Sequence, residues 1–212
     1  MLLAIPATLP LRAATGTPVT IGNADNRIVL EAGAAAPRVL RLTRGGADAW
    51  IATGEAHLID SAIVAGRTIP LHWRFDPAGS RVGERDASLV YVTHAPDLRL
   101  RWTWQARSAH GPLEHTIVIE NRSGNEVEIP LQDSLDFNWK IDARQPLQQS
   151  WIDKGAGEAP PVGTHLAPVP DGYAWRGTSS TFAHPRQGQP REIIPYFLVR
   201  ATDRSEERRV GK

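Results

Sequence analysis

The chain has 212 residues, of which 41% are hydrophobic and 22% charged, a composition ordinary for a globular protein of one large or two small domains. It contains no cysteine, which excludes disulfides, thiol catalysis and cysteine-bound zinc, and no uninterrupted apolar run long enough for a transmembrane helix. The formal net charge of +1 comes from the last nine residues, Arg204–Lys212, and the rest of the chain is slightly acidic with no basic patch of the kind a nucleic-acid binder needs.

The N-terminal stretch MLLAIPATLPLRAATG is apolar and then rich in small residues. It fits the remnant of a secretory signal, with an apolar region over 2–11 and cleavage near Ala13 or Ala14, although the basic leading segment is missing and Pro6 and Pro10 interrupt the run. A disordered or edge-strand leader fits equally well. The first reading implies a periplasmic or secreted protein, the second a cytoplasmic one.

Beyond residue 16 the periodicity is that of strands. Leu98, Leu100, Trp102 and Trp104 alternate with Arg99, Arg101, Thr103 and Gln105, the pattern of a half-buried strand. The following LEHTIVIENRSGNEVEIPLQ predicts two strands, over 113–120 and 126–131, joined in a hairpin by the polar turn Asn121–Asn125. Further strands are expected over 19–21, 28–31, 39–43, 57–64, 71–75, 87–93 and 193–199, with Gly, Pro, Asn and Asp between them. No long amphipathic helix is evident. Many short strands with frequent turn residues predict an all-β sandwich over 17–203.

The segment Lys154–Gly172, KGAGEAPPVGTHLAPVPDG, breaks the rhythm and is expected to be a long loop. Aromatic residues frame it, Trp139 and Trp151 before, Tyr173 and Trp175 after. A pyranose stacks its C–H face on such rings. These four residues, with Lys154 and His165 from the loop, are the candidate carbohydrate contacts. Anchoring of the loop to the sheet is the competing role for each aromatic.

Other chemistry is weakly encoded. A glycosidase needs two carboxyl groups across one bond, and the spacing of Asp133, Asp136, Asp142 and Asp153 does not single out a pair, so no catalytic residue is assigned. The seven histidines are scattered without metal-binding spacing, so no metal or other cofactor is expected. His115 reads as a satisfied, half-buried imidazole in a strand. KGAG at 154–157 lacks the lysine placement and the following Ser or Thr of a phosphate loop, and no serine has the context of a nucleophile elbow.

The stretch from Trp151 to Val199, together with LIDSAIVAGRTIPLHWRFDP and the NRSG turn followed by LQDSLDFNW, resembles the N-terminal domain of bacterial α-galactosidase-like enzymes, melibiase-type proteins similar to glycoside hydrolase family 36. The resemblance covers about residues 19–199. It implies an antiparallel β-supersandwich, galactose-mutarotase-like and incomplete at its C-terminus. A downstream catalytic barrel would carry the two aspartates, and the present chain would be inactive alone and support binding of a galactoside-like carbohydrate. A freestanding carbohydrate-binding module and a structural sandwich that mediates homo-oligomer contacts are the alternative functions. The tail RSEERRVGK resembles the translation of a short-read sequencing adapter, so residues 204–212 are expected to be foreign and the natural sequence to continue past Asp203. Residues 1–16 are then a leader, 17–203 the domain.

Overall fold

The computed structural model describes residues 16–45, 48–52, 54–130, 138–140, 146–153, 164–177 and 193–201. Among the described residues every regular element is a β-strand, all pairings are antiparallel and there is no helix, so none crosses a membrane. The chain divides into two compact units, Met1–Lys140 and Ile141–Lys212, a division inside the span that the strand punctuation treats as one domain.

In the first unit, β1 (Pro18–Gly22), β2 (Asn26–Ala32), β3 (Pro37–Arg44) and β4 (Asp48–Ala52) form a meander. The late strand β13 (Trp139–Lys140) returns to pair with β4, Trp139 opposite Ala52. A three-stranded sheet holds β5 (Ser61–Val64) between β6 (Arg67–Pro70) and β12 (Val127–Glu128). The largest ladder centres on β9 (Asp86–His94) and β10 (Asp97–Gln105), with β11 (Glu114–Asn121) beyond β10, and β7 (Arg74–Phe75) and β8 (Arg81–Val82) on the far side of β9.

One apolar core joins these sheets. Ile21, Ile28, Leu30 and Val39 from the meander pack in the same cluster as Leu89, Tyr91, Leu98, Leu100 and Trp102 from the β9–β10 ladder. The period-two reading of β10 is correct: Leu98, Leu100 and Trp102 are buried, and Arg101 is exposed. Sheet-on-sheet burial of alternate residues is the physics of a sandwich. Trp73 lies in the core because its indole N–H donates to the Ile59 carbonyl at 2.6 Å, which satisfies the one polar atom that burial would orphan.

The sandwich is tied at one end by side chains. Asn23 Oδ1 accepts the Asp25 and Asn26 N–H groups, which shapes the β1–β2 turn, while Asn26 Nδ2 donates to the Gly111 carbonyl at 2.7 Å. Asp25 accepts the Gly111 N–H at 2.8 Å and lies 3.0 Å from His110 Nδ1. These hydrogen bonds hold the Asp25 carboxyl below its usual range.

Several expected elements need correction. The strand over 57–64 is regular only from Ser61, and that over 71–75 only at Arg74–Phe75. Arg67–Pro70 is a strand that the sequence reading missed. It is joined to β5 by a two-residue turn in which Ala65 and Gly66 both have positive φ, 49° and 73°. The Asn121–Asn125 turn forms, with Asn121 Oδ1 accepting the Ser123 N–H and Asn121 Nδ2 donating to the Asn125 carbonyl. It does not close a hairpin. Its second strand shrinks to β12, which leaves β11 and pairs with β5, Val127 opposite Val64.

The second unit contains β14 (Leu147–Asp153), β15 (Thr164–Val169) and β16 (Ile193–Ala201) in the order β15-β14-β16. β16 was expected; β14 and β15 were not. Thr164–Val169 falls inside the predicted loop at 154–172, and that part of the expectation is wrong. Pro168 and the small Ala167 conceal a strand that tertiary pairing enforces along β14. Asp133, Asp136 and Asp142 lie outside the described residues.

Candidate functional site

β14 carries Leu147, Gln149 and Trp151 on one face, by the two-residue alternation of strands. Its register with β15 sets Trp151 opposite His165, and Ala167 opposite Gln149. The ladder with β16 is irregular between Trp151 and Asp153, where the pairing shifts. Such a shift re-aims the side chains that follow it.

Three rings meet there. The Trp151 and His165 rings stack at 4.9 Å between centroids, 13° from parallel. Trp175 leans on Trp151 at 5.2 Å and 48°. All three are half-buried, so the cluster is neither core nor free surface. Tyr173 precedes Trp175 by two residues and closes a turn through its N–H to the Pro170 carbonyl at 3.0 Å.

The polar groups of the cluster have defined roles. Asp153 Oδ2 lies 2.8 Å from His165 Nε2. An ionised carboxylate only accepts, so Nε2 carries the proton in this pair and Nδ1 is the acceptor of the neutral ring. The carboxylate is well covered, with 13% of its side chain exposed, whereas 43% of the imidazole is exposed. Asp153 therefore acts as the orienting partner and His165 as the group that faces outward. Next along the same strand, Gln149 is 5% exposed and its Nε2 has no hydrogen-bond partner among the described residues. A buried amide donor of this kind carries a desolvation cost.

Of the six candidates named from sequence, Trp151, His165 and Trp175 are thus brought together, with Tyr173 on the same segment as Trp175. Lys154 lies outside the described residues. Trp139 belongs to the first unit, where its ring meets Trp50 edge-on at 6.0 Å. Asp153 and Gln149 were missed as site residues. The alternation in LQQSWID places both on the Trp151 side, but it becomes legible only once LQQSWID is recognised as a strand.

Two other places carry aromatic or concave character. On the first unit's inner face His115 touches Trp102 and Trp104, with ring centroids 5.1 and 4.7 Å away. Burial pushes its pKa down to about 4, so it is neutral at pH 7. Its Nε2 is buried without a hydrogen-bond partner among the described residues, so the imidazole is not the satisfied one expected from sequence. An open cavity of about 340 Å³ lies among Val64, Ile69, His94, Pro96, Asp97 and Asn125. It lacks the tryptophan lining of the Trp151 cluster. Among the described residues no group of three or more His, Asp or Glu side chains is spaced to hold a metal ion.

The chain was compared with known proteins. It matches no protein-family model and no curated protein.

Proposed function

We propose that this chain is the non-catalytic, carbohydrate-supporting sandwich of an α-galactosidase-like glycoside hydrolase, similar to glycoside hydrolase family 36, and that its contact with sugar is the Trp151–His165–Trp175 cluster. The all-β, antiparallel architecture with one apolar core between sheets agrees with a galactose-mutarotase-like supersandwich. The observation that carries the sugar assignment is the half-buried ring stack with an oriented imidazole at its edge.

The chemistry suits a pyranose. The apolar C–H face of the sugar lies on the exposed side of the rings, as it would on any aromatic platform. The His165 Nδ1 lone pair accepts from a ring hydroxyl. Among the described residues the cluster contributes one carboxylate, Asp153, and that one is engaged with His165. Glycoside hydrolysis uses two; in the proposed reading this chain binds, and the cleavage chemistry belongs to a downstream barrel.

The test is titration of the full chain with galactose and α-galactosides, followed by tryptophan fluorescence and by amide chemical shifts of residues 147–153 and 164–169. Saturable changes at millimolar sugar that vanish in Trp151→Ala are expected. No response from the intact, folded chain at that concentration would overturn the binding assignment. Sequencing the gene past the codon for Asp203 tests the parent enzyme: a frame that continues into a barrel with paired aspartates is expected, and a stop codon there would sink the hydrolase reading.

A further inference from the structure

Three strands longer than five residues end a sheet among the described residues: β11, β15 and β16. An edge strand presents unpaired N–H and C=O groups and invites another strand, and proline is a common device against it. β15 contains Pro168 and β16 contains Pro195, whereas β11, Glu114–Asn121, contains none. Its hairpin neighbour is also absent, because β12 crosses to β5. At its centre Val118 is 50% exposed.

The direction of its hydrogen bonds follows from the ladder. Leu98 pairs with Asn121, and one step further the Arg122 N–H donates to the Asp97 carbonyl at 2.9 Å. The hydrogen-bonded pairs with β10 are therefore those of the even-numbered residues of β11. The N–H and C=O groups of His115, Ile117, Ile119 and Asn121 point the other way, to the open edge.

We infer that β11 is a self-association edge, and that it pairs antiparallel with β11 of a second copy of this chain about a two-fold axis through Val118. The sequence selects that register. With Val118 opposite its own copy, Ile117 faces Ile119, Thr116 faces Glu120, and Glu114 faces Arg122, each twice by symmetry. The four outward-pointing residues then exchange backbone hydrogen bonds in pairs, His115 with Asn121 and Ile117 with Ile119. Moving the axis to Ile117 sets Glu114 against Glu120 twice, and like charges directly opposite are unfavourable. Opposite charges at both ends and an exposed valine on the axis leave the Val118 register as the complementary one. A C2 contact of this kind is isologous and closed, so it ends at a dimer and does not propagate. The inference is independent of the carbohydrate assignment.

The experiment is sedimentation of the full chain from micromolar to millimolar concentration, with amide exchange read at both ends of that range. The weight-average mass should rise toward twice that of the monomer. Slowed exchange with concentration should appear at the amides of His115, Ile117, Ile119 and Asn121, while those of Thr116, Val118 and Glu120, already bonded to β10, stay protected throughout. Val118→Glu sets two carboxylates against each other on the axis, yet leaves the new side chain opposite Arg101 of its own sheet. It should raise the dimer dissociation constant roughly tenfold or more. Glu114→Arg and Arg122→Glu should each weaken the dimer, and the double exchange should restore it. A chain monomeric across the whole range overturns the inference. So does association that Val118→Glu leaves unchanged, or protection without the odd–even alternation.

Discussion

Trp151 and His165 face each other across neighbouring strands with their rings 13° from parallel, and Asp153 holds the imidazole from the side at 2.8 Å. The register of β14 against β15 makes the stack, and the hydrogen bond fixes which nitrogen of His165 carries the proton.

The first prediction separates packing from recognition at this cluster. His165→Phe keeps a ring on Trp151 but removes the acceptor nitrogen, whereas His165→Ala removes both. If sugar binds as proposed, His165→Phe retains the fluorescence change with an affinity lowered roughly fivefold, the loss of about one hydrogen bond. His165→Ala loses more. Asp153→Asn should weaken binding less than His165→Ala, because an amide oxygen still accepts from Nε2. Isothermal titration of the three variants gives the order.

A second prediction concerns acid. His115 has its pKa lowered to about 4 by burial, against an ordinary value of 6.5. The unfolded chain thus binds a proton that the folded chain refuses between those values. Stability should fall as pH drops from about 6.5 to about 4, by something on the order of 1–2 kcal/mol once partial solvent access of the ring is allowed for. Asp25, whose carboxyl is held low by Gly111 and His110, acts in the same direction at lower pH, as its stabilising ionised form is lost. Urea melts across this range should show the slope, and His115→Phe should flatten its upper part.

The third prediction tests the sandwich core. Trp102 is fully buried between the sheets and contacts His115 and Trp104. Trp102→Ala should cost about 3–5 kcal/mol, the range for removing a large buried aromatic. Arg101→Ala, next to it on the exposed face, should cost about 0.5 kcal/mol or less. Equal effects on the denaturation midpoint would contradict the alternation of faces along β10.

A fourth prediction concerns the β5–β6 turn. Ala65 adopts φ 49°, a left-handed conformation in which its Cβ is unfavourable. With Gly66 after it, Asn is the residue such two-residue turns favour. Ala65→Asn should stabilise the protein by about 0.5–1 kcal/mol, and thermal melts at neutral pH will show whether it does.

What was legible in the sequence follows the range of the forces involved. β10 was readable because Leu98, Leu100 and Trp102 write their burial at every second position. β6 was not, because Ala65–Gly66 carries none of the usual Asn-Gly or Asp-Gly chemistry, so nothing marks a hairpin between the strands expected over 57–64 and 71–75. β15 was hidden by the glycines and prolines around it and by its own Pro168. With it went the pairing of Trp151 to His165, which no local pattern encodes. The rings themselves were identifiable as residue types. Their convergence, and the roles of Asp153 and Gln149, depend on a register between segments twelve or more residues apart. The destination of β12 was illegible for the same reason: Val127 meets Val64, and nothing near either residue announces the other.

The return of β13 to β4 sets a schedule for the nascent chain. Ala52 leaves the ribosome long before its partner Trp139, and at ordinary synthesis rates the delay is on the order of 5–15 s. Through that interval the outer edge of β4 waits for its partner strand. A trigger-factor-like holdase or slow codons ahead of residue 139 would change how much of this protein reaches its native state, without altering a single contact in it.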